Sequence, residues 1–182
     1  MSSILKVSEI QDPTNGNTAL AIDSTGDITT LKAPGSVIQV HTLGHGSNVT
    51  TTGSSYVDTG LTGSITPKFS NSLILIIVSA NVSTSGSNGN EVANRLYRSA
   101  PTTATVQEIQ RMLLLYEAGG GNHQGTYHAG VTMFDTPATT STCTYKWQHK
   151  VISGGGETRH NDYSVSGVPT NQSRMILMEI AQ

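Results

Sequence analysis

Apolar residues in this sequence come in short bursts, and the longest, Leu73-Ile-Leu-Ile-Ile-Val78, stops after six. Between the bursts lie Gly, Ser, Thr, Asn and Asp, at intervals of about ten residues, the spacing of strands joined by turns. Six residues rich in Ile and Val are too few for an ordinary helix and suit a strand buried on both faces. The same brevity leaves nothing near the roughly 18–20 apolar residues that cross a bilayer as a helix, so no membrane insertion is expected. Ser and Thr fill 46 of the 182 positions and Gly another 19, while only 12% of residues are charged. A formal net charge of −2 removes the positive surface that a phosphate backbone needs, so no nucleic-acid partner is expected. The expected fold class is all-β, an antiparallel, jelly-roll-like β-sandwich of roughly eight strands.

Residues 1–35 read as a separate piece. Ile4–Ile10, Thr18–Asp23 and Ile28–Leu31 are short bursts, parted by the turn signals Asp12-Pro-Thr-Asn-Gly-Asn17 and Ser24-Thr-Gly-Asp27. Strands so short and so poor in large side chains enclose no core, so the segment must lie against something else. Its apolar residues Ile4, Leu5, Val7, Ile10, Leu20 and Ile22 are the candidates for that docking. Asp23 and Asp27 flank Ser-Thr-Gly, which reads as a hairpin turn because a calcium loop needs more oxygen ligands. Ala33-Pro-Gly35 marks the boundary with a sandwich over residues 36–182.

Within that sandwich, Tyr145–Val151 alternates most clearly, with Tyr145, Trp147 and Val151 on one side and Lys146, Gln148 and Lys150 on the other. Val106–Glu117 is ambiguous. Val106, Ile109, Leu113 and Tyr116 fit a helical face, yet Met112, Leu114 and Tyr116 alternate and no C-cap is present, so strand is favoured and helix stays open. The stretches His45–Ser55, Ser83–Asn90, Gly119–Gly125 and Ser153–Asn161 read as loops, and exposed loops on a rigid sandwich are where recognition residues sit. Ser87, Asn88, Asn90, Asn122, His123, Gln124, Arg159, His160 and Asn161 are the candidates there.

No arrangement of chemical groups stands out. His41 and His45 on a strand are about 13 Å apart, too far for one ion. His123, His128, His149 and His160 are scattered and read as solvent-facing or loop-bonded, so no metal site is expected within one chain; a site on a symmetry axis between chains stays open. No serine lies in a Gly-x-Ser-x-Gly elbow, and Cys143, beside the Tyr145–Val151 strand, reads as a buried packing thiol. Gly119–Gly121 and Gly154–Gly156 lack the Lys-Ser/Thr and the helix of a phosphate loop. No catalytic residue and no cofactor are expected.

The opening Ser2-Ser-Ile-Leu-Lys-Val-Ser-Glu-Ile-Gln11, with Asn15-Gly-Asn-Thr-Ala-Leu20 and Ile22-Asp-Ser-Thr-Gly26, resembles the N-terminal segment of many virion structural proteins of marine tailed bacteriophages. Pro34-Gly-Ser-Val-Ile-Gln-Val40, Ser55–Leu61, Ile65–Ser70, Thr144-Tyr-Lys-Trp-Gln148 and Met178-Glu-Ile-Ala-Gln182 are similar, in that order, to the domain that follows it there. The resemblance implies a fibre, spike or decoration subunit, homotrimeric, with a jelly-roll head like those of complement and tumour-necrosis-factor proteins. It further implies a virion location, on tail or capsid surface, after synthesis in the host cytoplasm. Other virion proteins would bind the N-terminal segment, and a host-surface glycan or protein the head loops. A capsid-decoration protein is the alternative, and a polysaccharide-degrading enzyme ranks last.

Overall fold

The computed structural model describes residues 7–11, 18–25, 28–31, 33–45, 47–86, 90–115, 123–161 and 173–182. All regular structure among them is β, in antiparallel pairs, and no helix is present there. Strands β1 (Glu9–Gln11), β2 (Thr18–Ile22) and β3 (Ile28–Leu31) make a three-stranded sheet in the order β1-β2-β3. The Asp23 carboxylate accepts from the Thr25 amide at 2.9 Å, the local turn its sequence predicts.

The remaining strands are β4 (Val37–His45), β5 (Val49–Thr51), β6 (Val57–Ile65), β7 (Leu73–Gly86), β8 (Asn90–Ala100), β9 (Ala104–Leu115), β10 (His123–Asp135), β11 (Cys143–Ser153), β12 (Glu157–His160) and β13 (Ser173–Ile180). More strands form than the eight expected, because short pieces such as β5 and β12 complete a sheet without a signal of their own. Long β7 organises a six-stranded sheet: β10 runs along one side, while β13 and β12 share the other in succession, backed by β4 and β5. The second sheet is β6-β11-β8-β9. At the two margins of the sandwich β4 adjoins β6 and β10 adjoins β9.

Period-two alternation builds the core. Ile74, Ile76, Val78, Ala80 and Val82 of β7, with Met175 and Leu177 of β13, pack against Leu61 and Ile65 of β6, Leu96 of β8, and Tyr145 and Trp147 of β11. Each such aliphatic side chain contributes roughly 1.5–3 kcal/mol when fully buried. The ambiguous Val106–Glu117 region lies largely in β9, whose pairing with β8 from Arg98↔Ala104 to Asn90↔Leu115 decides for strand. One expectation is corrected. Leu73–Val78 is sealed on only one face, since Leu73, Leu75 and Ile77 remain partly exposed on the other.

Candidate assembly surface

Over part of β10, β7, β13 and β4 that open face is largely apolar, bounded on one side by the row of Ser79 and the exposed Arg174. Phe134 of β10 stands opposite Leu75, Leu75 opposite Met178 of β13, and Met178 opposite Val40 of β4. The row on one side reads Thr132, Ile77, Ile176, Thr42. The row on the other joins Leu73, Ile180 and Val37, the last placed there by a register shift between Glu179 and Ile180. Phe134 is 59% exposed, Val40 52% and Val37 50%, while the residues between them are half-buried. With strands about 4.8 Å apart and rows about 6.8 Å apart, the array covers roughly 400 Å² including side chains. Single exposed hydrophobic residues are ordinary; a contiguous uncharged array of roughly 400 Å² is comparable to the largest apolar patch of a typical monomer, which is often functional.

The polar groups buried at either end of the sandwich differ in kind. At one end Glu179, fully buried, gathers donors from the β6–β7 connection: its Oε1 accepts from the amides of Lys68 at 2.7 Å and Phe69 at 3.2 Å and from Ser72 Oγ at 2.7 Å. Gln39 Nε2 donates to its Oε2 at 2.5 Å. Beside the sheet margin, Arg98 Nη1 lies 2.5 Å from Asp135 Oδ2, which also accepts from Tyr145 Oη at 2.8 Å. Burial pushes the neighbouring Cys143 thiol above its ordinary pKa, so it packs as the expected unreactive thiol.

At the other end three histidines meet between the sheets. The ring centroids of His45 and His160 are 6.2 Å apart and those of His149 and His160 6.5 Å. His149 and His160 are fully buried, and among the described residues neither nitrogen of either ring has a hydrogen-bond partner; His45 Nε2 also lacks one there. Burial holds His149 down to about 4 and His160 down to about 3, the latter helped by its two imidazole neighbours. Asn161, with φ of 57°, ties the strand ends beside them. Its Nδ2 donates to the His45 carbonyl at 2.6 Å, and its Oδ1 accepts from the Ser173 amide at 3.0 Å. Gly60, at φ +84°, leaves room for the His45 ring, because a Cβ there would overlap Nε2. Among the described residues no three His, Cys, Asp or Glu are placed to hold one metal ion.

The reading of the histidines as solvent-facing or loop-bonded is therefore corrected for His149 and His160. It holds for His41, which meets Gln39 Oε1 at 3.2 Å, and for His128, 2.5 Å from Ser79 Oγ. Several candidate recognition residues move as well. Asn90, His160 and Asn161 are buried rather than exposed, because β7, β8 and β12 extend their pairing into stretches read as loops. Arg159 is half-buried in β12 and paired with Glu157. His123 and Gln124 belong to β10, and Ser87, Asn88 and Asn122 lie outside the described residues. Of the docking candidates, Val7 and Ile10 are exposed and Leu20 and Ile22 half-buried, while Ile4 and Leu5 lie outside the described residues. The outer apolar rows escaped the sequence reading because they depend on which strands pair.

No protein-family model and no curated protein matches the sequence. Among solved structures, the chain is similar to that of the infectious bursal disease virus Gx strain, with a TM-score of 0.33 and 12% identity. That match covers 100% of this chain and 42% of the other. The VP2 subviral particle of the same virus matches at a TM-score of 0.32 and 11% identity, over 98% of this chain and 42% of that one. A D431N mutant VP2, in derived T=1 particles, gives 0.35 and 11%, over 100% and 44%. This chain thus spans less than half the length of those it matches.

Proposed function

We propose that this chain is a non-catalytic structural subunit of a virus particle, assembling with identical copies through the outer face of its six-stranded sheet. The apolar array around Leu75 and Met178 carries this reading. Its roughly 400 Å² is about half of what each partner contributes to a standard stable interface, an apolar centre awaiting a polar rim. The array itself holds no charge, and the reading gives it a neighbouring copy of this chain as occupant, seated head to tail around a threefold axis so that the array meets a different surface of that copy. The resemblance of the sequence to virion structural proteins of marine tailed bacteriophages implies a homotrimer in a phage virion. In the same reading the N-terminal segment docks on other virion proteins, and the sandwich is the head of a tail-fibre or spike subunit presented to a host-surface glycan or protein.

Electron microscopy of virions labelled with antibody to this protein tests the placement. Label at the tail is expected; label over the capsid shell overturns the tail assignment, and unlabelled virions overturn the virion role. Deleting residues 1–35 should leave a folded head that no longer enters particles, and retained incorporation would refute the docking role.

A further inference from the structure

We propose that His149 and His160, packed against the ring of His45, form an acid-responsive latch between the two sheets, packing as core while neutral and forcing that end of the sandwich apart when protonated. The inference is independent of the virion reading. Each ring arrives on a different strand, His45 on β4, His149 on β11 and His160 on β12, so the cluster joins the sheets.

The surroundings offer a proton no stable place. Opposite His160 stand Val49 of β5 and Val82 of β7; opposite His149 stand Val57 of β6 and Asn94 of β8; opposite His45 stands Ser173 of β13. Of the charged residues of these strands, Asp58 is held by Lys146 and Gln148, Lys150 by Glu108, Arg159 by Glu157, Arg95 by Gln148 and Arg98 by Asp135, while Glu91 of β8 stands opposite Ser153 and Leu114. Strand alternation turns Gln148, Lys150 and Arg159 away from the face that carries His149 and His160. Arg174, next to Ser173, is exposed. Among the described residues no carboxylate faces the rings, and His160 feels only the other two imidazoles. Among the described residues a first proton therefore finds no counter-charge, and a second meets a like charge across the 6.5 Å between His149 and His160. The place where this strain is released is also set. β12 and β5 are the shortest strands of the six-stranded sheet; β12 is joined to β5 by three paired positions and to β7 by four.

The sign follows from linkage. Folded-state values below the ordinary 6.5 mean that the unfolded chain binds more protons as pH falls under 6.5. Stability is full above that pH and is lost progressively towards 3–4. Urea unfolding of the full chain between pH 8 and pH 4.5 reads this directly. The unfolding constant should rise by up to about tenfold per pH unit for each buried histidine. His149→Asn with His160→Asn should flatten that slope, whatever the stability at pH 8; a double variant keeping the native slope would overturn the latch. A measurement on the unaltered chain covers the case in which the variants do not fold. The ring C2 proton signals of His149 and His160 should hold their neutral shifts down to pH 5 while the native fold persists, and titration near 6.5 in the folded protein would equally overturn it.

Discussion

The two ends of β13 bury polar groups under opposite terms. At its C-terminal end Glu179 has donors for both oxygens, drawn from β4 and from the β6–β7 connection. At its N-terminal end, beside Ser173, two histidines lie just as deep with no partner for any ring nitrogen. A buried polar group costs free energy unless it is hydrogen-bonded, and a buried charge costs far more unless it is paired. Glu179 has its partners, whereas the histidines avoid the larger cost only while they stay neutral, so the account makes one end a clamp and the other sensitive to pH.

Removing the clamp should have the largest effect. Glu179→Ala leaves the Ser72 hydroxyl and the Phe69 amide without their acceptor and should cost about 2–4 kcal/mol in urea unfolding at neutral pH. Glu179→Gln, which keeps the shape, should cost about half as much; a Gln variant as stable as the native chain would mean that packing rather than hydrogen bonding holds this end. Next comes the histidine end. Gly60→Ala pushes a methyl group into the His45 ring at a positive φ and should cost about 1–3 kcal/mol, seen as a lowered midpoint with unchanged urea slope. No change would show that the ring lies elsewhere. The pH slope set by His149 and His160 is the finest test of the contrast.

Much of the architecture was legible because alternation and turn residues report local geometry. Tyr145 and Trp147 are buried as their strand pattern requires, and Asp23 makes its turn. The histidine cluster was not legible, because β4, β11 and β12 are distant in sequence and only sheet pairing brings them together. His160 and Asn161 misled for a related reason: Gly154-Gly-Gly156 signals a loop, but the four residues after it rejoin β7 as a strand. Gly60 carries no sequence signal that separates it from the other glycines, since its need is set by a ring from another strand. The apolar face was half legible. Leu73–Val78 announced apolar residues on both sides of a strand, but burial within one chain was inferred where exposure is found.

That exposure underlies the central claim, and sedimentation equilibrium at micromolar concentration tests it most directly. The full chain should sediment as a trimer, and a variant carrying Val40→Lys with Phe134→Lys, both already solvent-facing, should sediment as a folded monomer. A full chain found as a monomer, or a variant that assembles as the native chain does, would contradict assembly through this face.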